Sequence, residues 1–291
     1  MKKILITGGS RGLGFNTLNS LVDLDLKIIS LSRTIPSDIK PHPKIKNVKG
    51  DITKISSLQK DLWGATTVLH FAGLTHSADF KKYFEVNAEG TLNLIQRAET
   101  SNVNRFIYVS TQAIGVKGGA YSHSKEIAEE HIKKSKLNWT ILRPSEIYGD
   151  NILGTVHTMQ CIVKKFPIVP IFGNGMYSMN PLHLFDFTEF IKKVINDNEK
   201  TSFTKVYTLC GPHEISFLEF AKILICSFGK NKRIFHFPEN SIKAFFLICK
   251  LMKINKFVPD QISRLKMKKS HNITLAKNDY DFRPKSFNYK R

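Results

Sequence analysis

A phenol and an ammonium group stand four residues apart in Tyr121-Ser122-His123-Ser124-Lys125. In a helix this spacing places both side chains on one face. A tyrosine there can give or take a proton at a reacting oxygen, and a nearby lysine charge lowers the pKa of the phenol. With 8 tyrosines and 35 lysines in 291 residues, about one such pair is expected by chance. The position of the pair in the fold therefore decides its meaning.

Hydroxyl groups precede this pair, where a predicted strand ends in Tyr108-Val109-Ser110-Thr111. Ligands bind such sheets at the carboxyl ends of parallel strands. A hydroxyl at that edge, beside the Tyr121/Lys125 helix, can hydrogen-bond a reacting oxygen. The arrangement predicts redox or proton-transfer chemistry at this edge.

A glycine-rich turn follows the first predicted strand and opens a predicted helix. Glycines at such a turn let the backbone approach a pyrophosphate, which then lies at the helix N-terminus. The alternative is a tight connection that binds nothing. Its place on the first strand favours a dinucleotide cofactor, with these candidate contacts: Gly8, Ser10, Arg11, Gly12, Leu13 and Gly14.

The end of the second predicted strand indicates which dinucleotide is bound. An acidic residue there would bind the ribose of NAD(H) and repel a 2′-phosphate. This chain has Ser32-Arg33 instead, and Arg11 offers a second positive group from the glycine turn. Each arginine alone could be a solvated surface charge. Together with the missing acid they favour NADP(H), with NAD(H) as the alternative.

Short β-branched runs alternate with helical stretches over the first two-thirds of the chain, which is typical of an α/β fold with a doubly wound, Rossmann-like parallel sheet. The predicted strands are Lys3–Thr7, Lys27–Leu31, Ile45–Lys49, Thr67–Phe71, Arg105–Ser110 and Trp139–Leu142. The predicted helices are Gly12–Leu24, Ile55–Leu62, Phe80–Ser101 and Tyr121–Lys136.

After Arg143-Pro144 the alternation weakens and prolines and glycines become more frequent. We expect a dinucleotide-binding domain over residues 1–150. Residues 151–291 are expected to form mainly a smaller substrate-binding cap, with some segments returning to the sheet. The apolar segment Ser241–Ile254 is too short to span a bilayer. It is expected to pack on the core or on a second subunit, with contact to a membrane surface as the alternative.

The chain carries 44 Lys and Arg against 24 Asp and Glu, a net charge of +20. Residues 222–291 hold 17 of the basic and 4 of the acidic residues. Only 9 of the basic residues are arginine, the residue that base readout and phosphate clamping favour. Nucleic acid is therefore not the expected partner. An anionic small substrate, or peripheral contact of the basic C-terminal region with an acidic membrane, fits better.

Cysteine usage indicates a reducing compartment. Cys161, Cys210, Cys226 and Cys249 form no C-x-x-C pair and no cluster at metal-ligand spacing, so neither disulfides nor a metal is expected. The apolar run of Ile4-Leu5-Ile6 ends at a glycine turn and lacks the length of a signal peptide. A cytoplasmic location is expected.

Several segments, taken in order, resemble the extended branch of the short-chain dehydrogenase/reductase superfamily, and within it the nucleotide-sugar epimerases, dehydratases and reductases. The spacing of the turn glycines follows the classical branch. The other matching segments are Gly50-Asp51-Ile52, His70-Phe71-Ala72-Gly73, Asn87-Ala88-Glu89-Gly90-Thr91, Arg143-Pro144-Ser145-Glu146-Ile147-Tyr148-Gly149, Pro181-Leu182-His183-Leu184-Phe185-Asp186 and Asp281-Phe282-Arg283-Pro284-Lys285-Ser286-Phe287.

This resemblance implies roles for individual residues. The catalytic set becomes Thr111, Tyr121 and Lys125, with Ser110 in reserve as the hydroxyl. Arg264 resembles an arginine that holds a nucleotide diphosphate, although a solvated surface arginine is equally plausible. Cofactor contacts are implied for Ser32, Arg33, Asp51, Ile52, Phe71, Ala72, Gly73, Asn87, Tyr121, Lys125 and Pro144.

The family's dehydratases carry an Asp-Glu pair after the threonine, whereas this chain has Gln112-Ala113. Loss of water needs a general acid and a base, so dehydration is not expected. His70, His76 and His183 are interpreted as loop or core residues.

The favoured function is NADP(H)-dependent reduction of a keto group on a nucleoside-diphosphate sugar, for surface-polysaccharide precursors. The alternatives are a 4-epimerase with tightly bound cofactor and a non-catalytic dinucleotide-binding subunit. A homodimer is a further possibility that the sequence leaves open.

Overall fold

The fold is described from a computed structural model that covers residues 2–37, 41–228, 231–238, 241 and 260–287. Seven parallel strands form the central sheet, in the spatial order β11-β6-β5-β4-β1-β2-β3. They are β1 (Lys2–Thr7), β2 (Leu26–Ser32), β3 (Ile45–Lys49), β4 (Thr67–His70), β5 (Arg105–Val109), β6 (Asn138–Pro144) and β11 (Lys205–Leu209). Strands β2 and β3 lie on one side of β1, and the later strands β4, β5, β6 and β11 follow on its other side. This order confirms the expected doubly wound, Rossmann-like fold.

Burial of both sheet faces explains the continuous apolar strands. In β1, Ile4 and Ile6 belong to one hydrophobic cluster, whereas Leu5 belongs to the cluster on the opposite face. Successive strand side chains point to opposite faces, so a strand covered on both sides must be apolar throughout.

Over the described residues the helices are α1 (Gly12–Ser20), α2 (Lys81–Tyr83), α3 (Gly90–Glu99), α4 (Gly119–Lys134), α5 (Thr155–Lys165), α6 (Leu184–Ile195), α7 (Phe217–Ser227), α8 (Asp260–Lys266) and α9 (Thr274–Tyr280). Some of them cover the two faces of the sheet. α1 and α6 contribute to one sheet-facing cluster, and α3 and α4 contribute to the other.

Two sequence-based helix assignments need correction. Residues 55–62 contain no α-helix but a 3₁₀ turn at Ile55–Ser57, and a second turn follows at Leu62–Gly64. Trp63 adopts the left-handed conformation (φ 57°), which breaks helical geometry. The stretch predicted over Phe80–Ser101 consists of α2, a π-helical segment at Phe84–Glu89, and α3.

The last third of the chain adds one strand to the sheet and builds a separate layer. β11 pairs with β6 from Lys205 to Leu209, which extends the six predicted strands to seven. α5, α7 and β8 (Ile168–Phe172) share a third hydrophobic cluster. The remaining short strands are β7 (Ile147–Tyr148), β9 (Ser178–Met179), β10 (Leu182–His183), β12 (Ile215–Ser216) and β13 (Arg233–Phe237).

Over the described ranges, no helix has the length and apolar character needed to cross a membrane. The segment Ser241–Ile254, apart from its first residue, lies outside the described residues. Within the same ranges, no group of histidine, cysteine or acidic residues could hold a metal ion.

Candidate active site

The glycine turn after β1 packs tightly against the turn after β4. A Cβ atom on Gly8 would lie 2.8 Å from the backbone nitrogen of Ala72, and Gly8 has a φ of +75°. A Cβ on Gly14 would lie 2.3 Å from the carbonyl oxygen of Gly8. Because neither position has room for a side chain, the glycines bring β1, α1 and the β4 turn together at the carboxyl edge of the sheet.

The start of α1 is open to an anion. Arg11 is the N-cap residue, no side chain in the described ranges caps the helix, and its first turn has no acidic residue. Gly12 has a φ of +57°, and no described atom lies within 4 Å of where its Cβ would be. Backbone N–H groups of a first helical turn lack intrahelical acceptors and attract phosphates. This cradle fits the pyrophosphate of a dinucleotide.

The two arginines proposed to read the cofactor are both exposed: Arg11 at the glycine turn and Arg33 just after β2. The hydroxyl of Ser32 donates to the carbonyl of Thr34 (3.0 Å). The end of β2 lies beside the glycine turn, because the amide of Gly8 donates to the carbonyl of Leu31 (3.0 Å).

Asp51 and Ile52 follow β3. The Asp51 carboxylate accepts hydrogen bonds from the amide and hydroxyl of Thr53 (3.0 and 2.9 Å), so it stabilises its own loop. Ile52 is buried, and a Cβ on Gly90 would lie 2.9 Å from its side chain.

His70 is a structural residue at the end of β4. Its Nδ1 shares a 2.5 Å hydrogen bond with the hydroxyl of Thr7, and its Nε2 shares one of 2.9 Å with Thr91. The Thr91 hydroxyl donates to the carbonyl of Asn87 (2.6 Å), so His70 Nε2 is the donor to Thr91 and Nδ1 the acceptor from Thr7. Burial, and then the charge of Lys125, lower the pKa of His70 to about 3. The ring therefore stays neutral, and its burial agrees with the interpretation of His70 as a core residue.

Asn87 joins the loop after β4 to the helix that carries the tyrosine. Its side chain accepts from the amide of Leu74 (2.7 Å) and donates to the carbonyl of the same residue (3.0 Å). It also donates to the Ser124 hydroxyl (3.0 Å), which in turn donates to the carbonyl of Tyr121 (2.7 Å). A Cβ on Gly73 would lie 3.1 Å from the Asn87 oxygen. Asn87 thus fixes the distance between the β4 turn and α4.

Thr111 and Tyr121 lie together at the carboxyl edge of the sheet. Tyr121 is buried, two residues after α4 begins at Gly119. Burial raises the pKa of Tyr121; the positive charge of Arg264 lowers it, Tyr83 raises it, and a hydrogen bond with Thr111 lowers it. The Thr111 oxygen also accepts from the amide of Ala113 (3.2 Å).

Lys125 lies one helical turn below Tyr121 and points toward β5. Its Nζ donates to the carbonyl of Val109 (2.9 Å) and lies 4.1 Å from the centre of the Tyr108 ring. Burial lowers the pKa of Lys125 to about 7, and the Glu129 carboxylate acts in the opposite direction. Among the causes of the Tyr121 pKa shift, the charge of Arg264 has the largest lowering effect. The expected lowering by Lys125 stays a prediction.

Glu129 is a buried carboxylate that the sequence interpretation missed. It accepts a hydrogen bond from the Ser110 hydroxyl (2.6 Å) and two from the guanidinium of Arg143 (2.9 and 2.5 Å). Lys133 lies 3.5 Å away. The position of Glu129, one helical turn after Lys125, was the sequence signal that could have identified it. Because the Ser110 hydroxyl donates its hydrogen bond to Glu129, the hydroxyl that hydrogen-bonds the Tyr121 phenol is that of Thr111.

Two other expected site residues come from later elements. Pro144 is buried at the end of β6, and its carbonyl accepts from the amide of Gln112 (3.1 Å). Arg264 on α8 stacks over the Tyr121 ring, with its guanidinium carbon 4.4 Å from the ring centre. His183 caps α6 by accepting from the amide of Phe185 (3.1 Å).

Comparisons with known proteins identify the family of this chain. A family profile described as NAD(P)H-binding matches residues 8–160, just over half of the chain. A 3-beta-hydroxysteroid dehydrogenase from Mycolicibacterium neoaurum is 29% identical over 178 residues, which cover 50% of this chain and 48% of that protein. A UDP-glucose 4-epimerase from Vibrio cholerae is 26% identical over 257 residues, covering 79% and 76%.

The fold is also that of a solved UDP-glucuronic acid 4-epimerase from Bacillus cereus, in complex with UDP-glucuronic acid and NAD. The TM-score is 0.77 at 18% identity, over 98% of this chain and 95% of that chain. The chain spans about half the length of the steroid dehydrogenase that it matches. Proteins with different printed activities are therefore similar to this chain in sequence or in fold.

Proposed function

This chain belongs to the NAD(P)H-binding family and is an oxidoreductase or epimerase of the short-chain dehydrogenase/reductase type, and from that premise we propose its reaction. The proposed activity is NADP(H)-dependent reduction of a keto group on a nucleoside-diphosphate sugar, in the synthesis of surface-polysaccharide precursors. The cofactor is held in the cradle at Gly8, Gly12 and Gly14.

One observation carries this proposal: the Thr111 hydroxyl hydrogen-bonds the buried Tyr121 phenol. The pair lies at the carboxyl edge of β5, in the same parallel sheet whose β1 ends in the open glycine turn. A substrate oxygen between these hydroxyls and a bound cofactor would meet a proton donor and a second hydrogen-bonding group.

The chain's own groups handle the proton. The bound nicotinamide would supply the hydride that reaches the carbonyl carbon. Tyr121 donates its phenolic proton to the carbonyl oxygen as that oxygen gains charge, and Thr111 hydrogen-bonds the same oxygen. Lys125, which donates to the carbonyl of Val109 (2.9 Å) one helical turn after Tyr121, would bind the cofactor ribose. In the reverse direction Tyr121 accepts the proton of the substrate hydroxyl.

The preference for NADP(H) over NAD(H) rests on charge. Ser32 and Arg33 stand where an acidic residue would repel a 2′-phosphate, and Arg11 lies at the cradle. Both guanidinium groups are exposed and can turn toward a bound phosphate.

A 4-epimerase is the second candidate, because the matched Vibrio cholerae epimerase aligns over 79% of this chain. Epimerisation would use Tyr121 in both directions on one substrate. The third reading, a non-catalytic dinucleotide-binding subunit, would not require Thr111, Tyr121 and Lys125 together. A cytoplasmic location, a homodimer and peripheral membrane contact of the basic C-terminal region remain predictions.

Mass spectrometry of the small molecules released from the purified protein, followed by an activity assay, tests the proposal. A reductase is expected to lack tightly held oxidised cofactor and to consume NADPH when given a 4-keto nucleotide sugar. A Tyr121→Phe sample is the control for background oxidation. Stoichiometric oxidised cofactor, with interconversion of 4-epimers and no net NADPH consumption, would establish the epimerase instead.

A further inference from the structure

The two-stranded parallel sheet of β8 and β13 has one apolar face turned to solvent. Alternate residues of a strand share a face. The register of the pair therefore places six side chains on one face, here called the β8/β13 face: Ile168, Pro170 and Phe172 from β8, and Arg233, Phe235 and Phe237 from β13. Phe235 is 51% exposed and Ile168 is 48% exposed. Apart from Arg233, the whole face is apolar.

The opposite face of the same sheet belongs to the core. Val169 and Ile171 are fully buried in the third hydrophobic cluster, together with residues of α5 and α7, and Ile234 packs against that cluster. A sheet that is covered on one side normally carries polar residues on its other side. The β8/β13 face instead carries phenylalanines, so its composition is that of a surface which a partner covers.

The aromatic side chains of this face form a continuous patch. The ring centres of Phe235 and Phe237 are 4.7 Å apart, and those of Phe172 and Phe237 are 6.0 Å apart. Phe166, which precedes β8 and is 55% exposed, lies beside them, because Lys232 at the start of β13 donates to its carbonyl (2.6 Å). Single exposed apolar residues are ordinary, whereas contiguous apolar patches mark interaction sites.

The charges around the patch have a single sign. Residues 151–182 and 220–238, which contain α5, β8, β13 and most of α7, hold no aspartate or glutamate. Their basic residues are Lys164, Lys165, Lys222, Lys230, Lys232 and Arg233. Lys165 is exposed at the end of α5, and Arg233 is exposed on the face itself. Lysine and arginine next to a membrane surface are attracted by acidic lipids, and apolar side chains between them enter the headgroup boundary.

We propose that the β8/β13 face docks on the surface of an acidic phospholipid membrane. Phe166, Ile168 and Phe235 enter the boundary between headgroups and acyl chains, while Lys165 and Arg233 contact the anionic headgroups. No spanning helix is needed for such a contact. The inference goes beyond the proposed reaction and does not depend on it.

Two other occupants fit the same observations less well. Single-stranded nucleic acid stacks its bases on open ring faces. The rings of Phe235 and Phe237 instead pack edge to face, with 70° between their planes, and the face has one arginine. A second copy of this chain, docked symmetrically through the face, would bring the Arg233 and Lys165 charges of both copies together without acidic partners from the same segments.

The experiment is flotation of the full chain with vesicles of equal parts phosphatidylcholine and phosphatidylglycerol, and with vesicles of phosphatidylcholine alone. The wild type should float with the acidic vesicles and much less with the neutral ones. Its binding should fall as salt is added, because salt screens the basic side chains. Arg233→Gln should weaken binding to the acidic vesicles, whereas Lys60→Gln, which removes an exposed charge after β3, should bind like the wild type.

The apolar contact is tested by Phe235→Ser. Because about half of this side chain is already buried, its loss should weaken partitioning into the acidic vesicles by about tenfold. Phe235→Leu keeps an apolar side chain and should retain most of the binding. Phe80→Ser is the matched control, since Phe80 is 45% exposed and lies outside the face; it should float like the wild type.

Equal flotation of the wild type and Phe235→Ser, or of the wild type with the two kinds of vesicle, would overturn the proposal. A wild-type dimer that Phe235→Ser dissociates, with no flotation, would assign the face to a second copy. Binding of oligothymidine that Phe235→Ser loses, again with no flotation, would assign it to nucleic acid, and either result overturns membrane docking. None of these measurements uses turnover, so a wrong proposed reaction would leave their outcome intact.

Discussion

Replacing Lys125 with methionine should change how protein stability depends on pH. The side chain of Lys125 is buried, and burial lowers its pKa from 10.5 to about 7, although Glu129 opposes this. The unfolded chain keeps the lysine proton up to its ordinary pKa, whereas the folded chain loses it above about pH 7. The unfolded state therefore binds more protons in this window, and the stability of the wild type rises with pH there.

The size of the effect follows from the shift. Between the folded and the unfolded pKa of Lys125, each pH unit adds about 1.4 kcal/mol to the free energy of unfolding. Near the folded pKa the slope is half of this, so the gain from about pH 7 to about pH 9 is roughly 2 kcal/mol. Below about pH 7 both states are protonated, and the cost of burying the charge is fully present and constant.

Urea unfolding of the wild type, Lys125→Met and Lys134→Met at several pH values measures this difference. Lys134 lies exposed on the same helix and serves as the matched control. The wild type should gain about 2 kcal/mol relative to Lys125→Met across the window, and nothing relative to Lys134→Met. Parallel stability curves for the wild type and Lys125→Met would refute a buried ammonium group with a lowered pKa.

Three further outcomes are expected. Arg33→Ala should weaken NADPH binding by about tenfold with little change for NADH, as measured by paired dissociation constants; equal losses would remove its role at the 2′-phosphate. Ser110→Ala should lower the unfolding free energy by about 1–2 kcal/mol and keep turnover, whereas Thr111→Val should lose turnover and stay folded; the reverse pattern would exchange their roles. No 4-keto-6-deoxy product should form from a nucleotide-hexose, because Gln112 and Ala113 provide no acid–base pair, and its accumulation would contradict that reading.

The centre of the parallel sheet was predictable from the sequence because β4 and β5 are buried on both faces and read as largely apolar runs. The first six strands match to within three residues at each end. Strand β11 was not among the predicted strands because the alternation weakens after Pro144, where mainly a cap was expected. The helix expected over residues 55–62 was wrong because left-handed residues at Leu62 and Trp63 end regular geometry there.

The site was predictable where its residues share one helix or one strand end. Thr111 and Tyr121 are separated by ten positions and were expected to meet. The contact between Arg264 and Tyr121 spans 143 positions and depends on the packing of α8 against Gly118, which no local spacing encodes. The resemblance to the epimerase and dehydratase branch is confirmed at the level of the family.

Turnover of Tyr121→Phe, measured alongside its NADPH dissociation constant, tests the central claim most directly. The substitution removes the phenolic oxygen and keeps the ring that packs against Tyr83. NADPH affinity should stay within about twofold, because the glycine cradle holds the pyrophosphate, while kcat should fall by roughly 10²–10⁴-fold. Turnover close to that of the wild type, with the cofactor bound normally, would contradict the assignment of the proton to Tyr121.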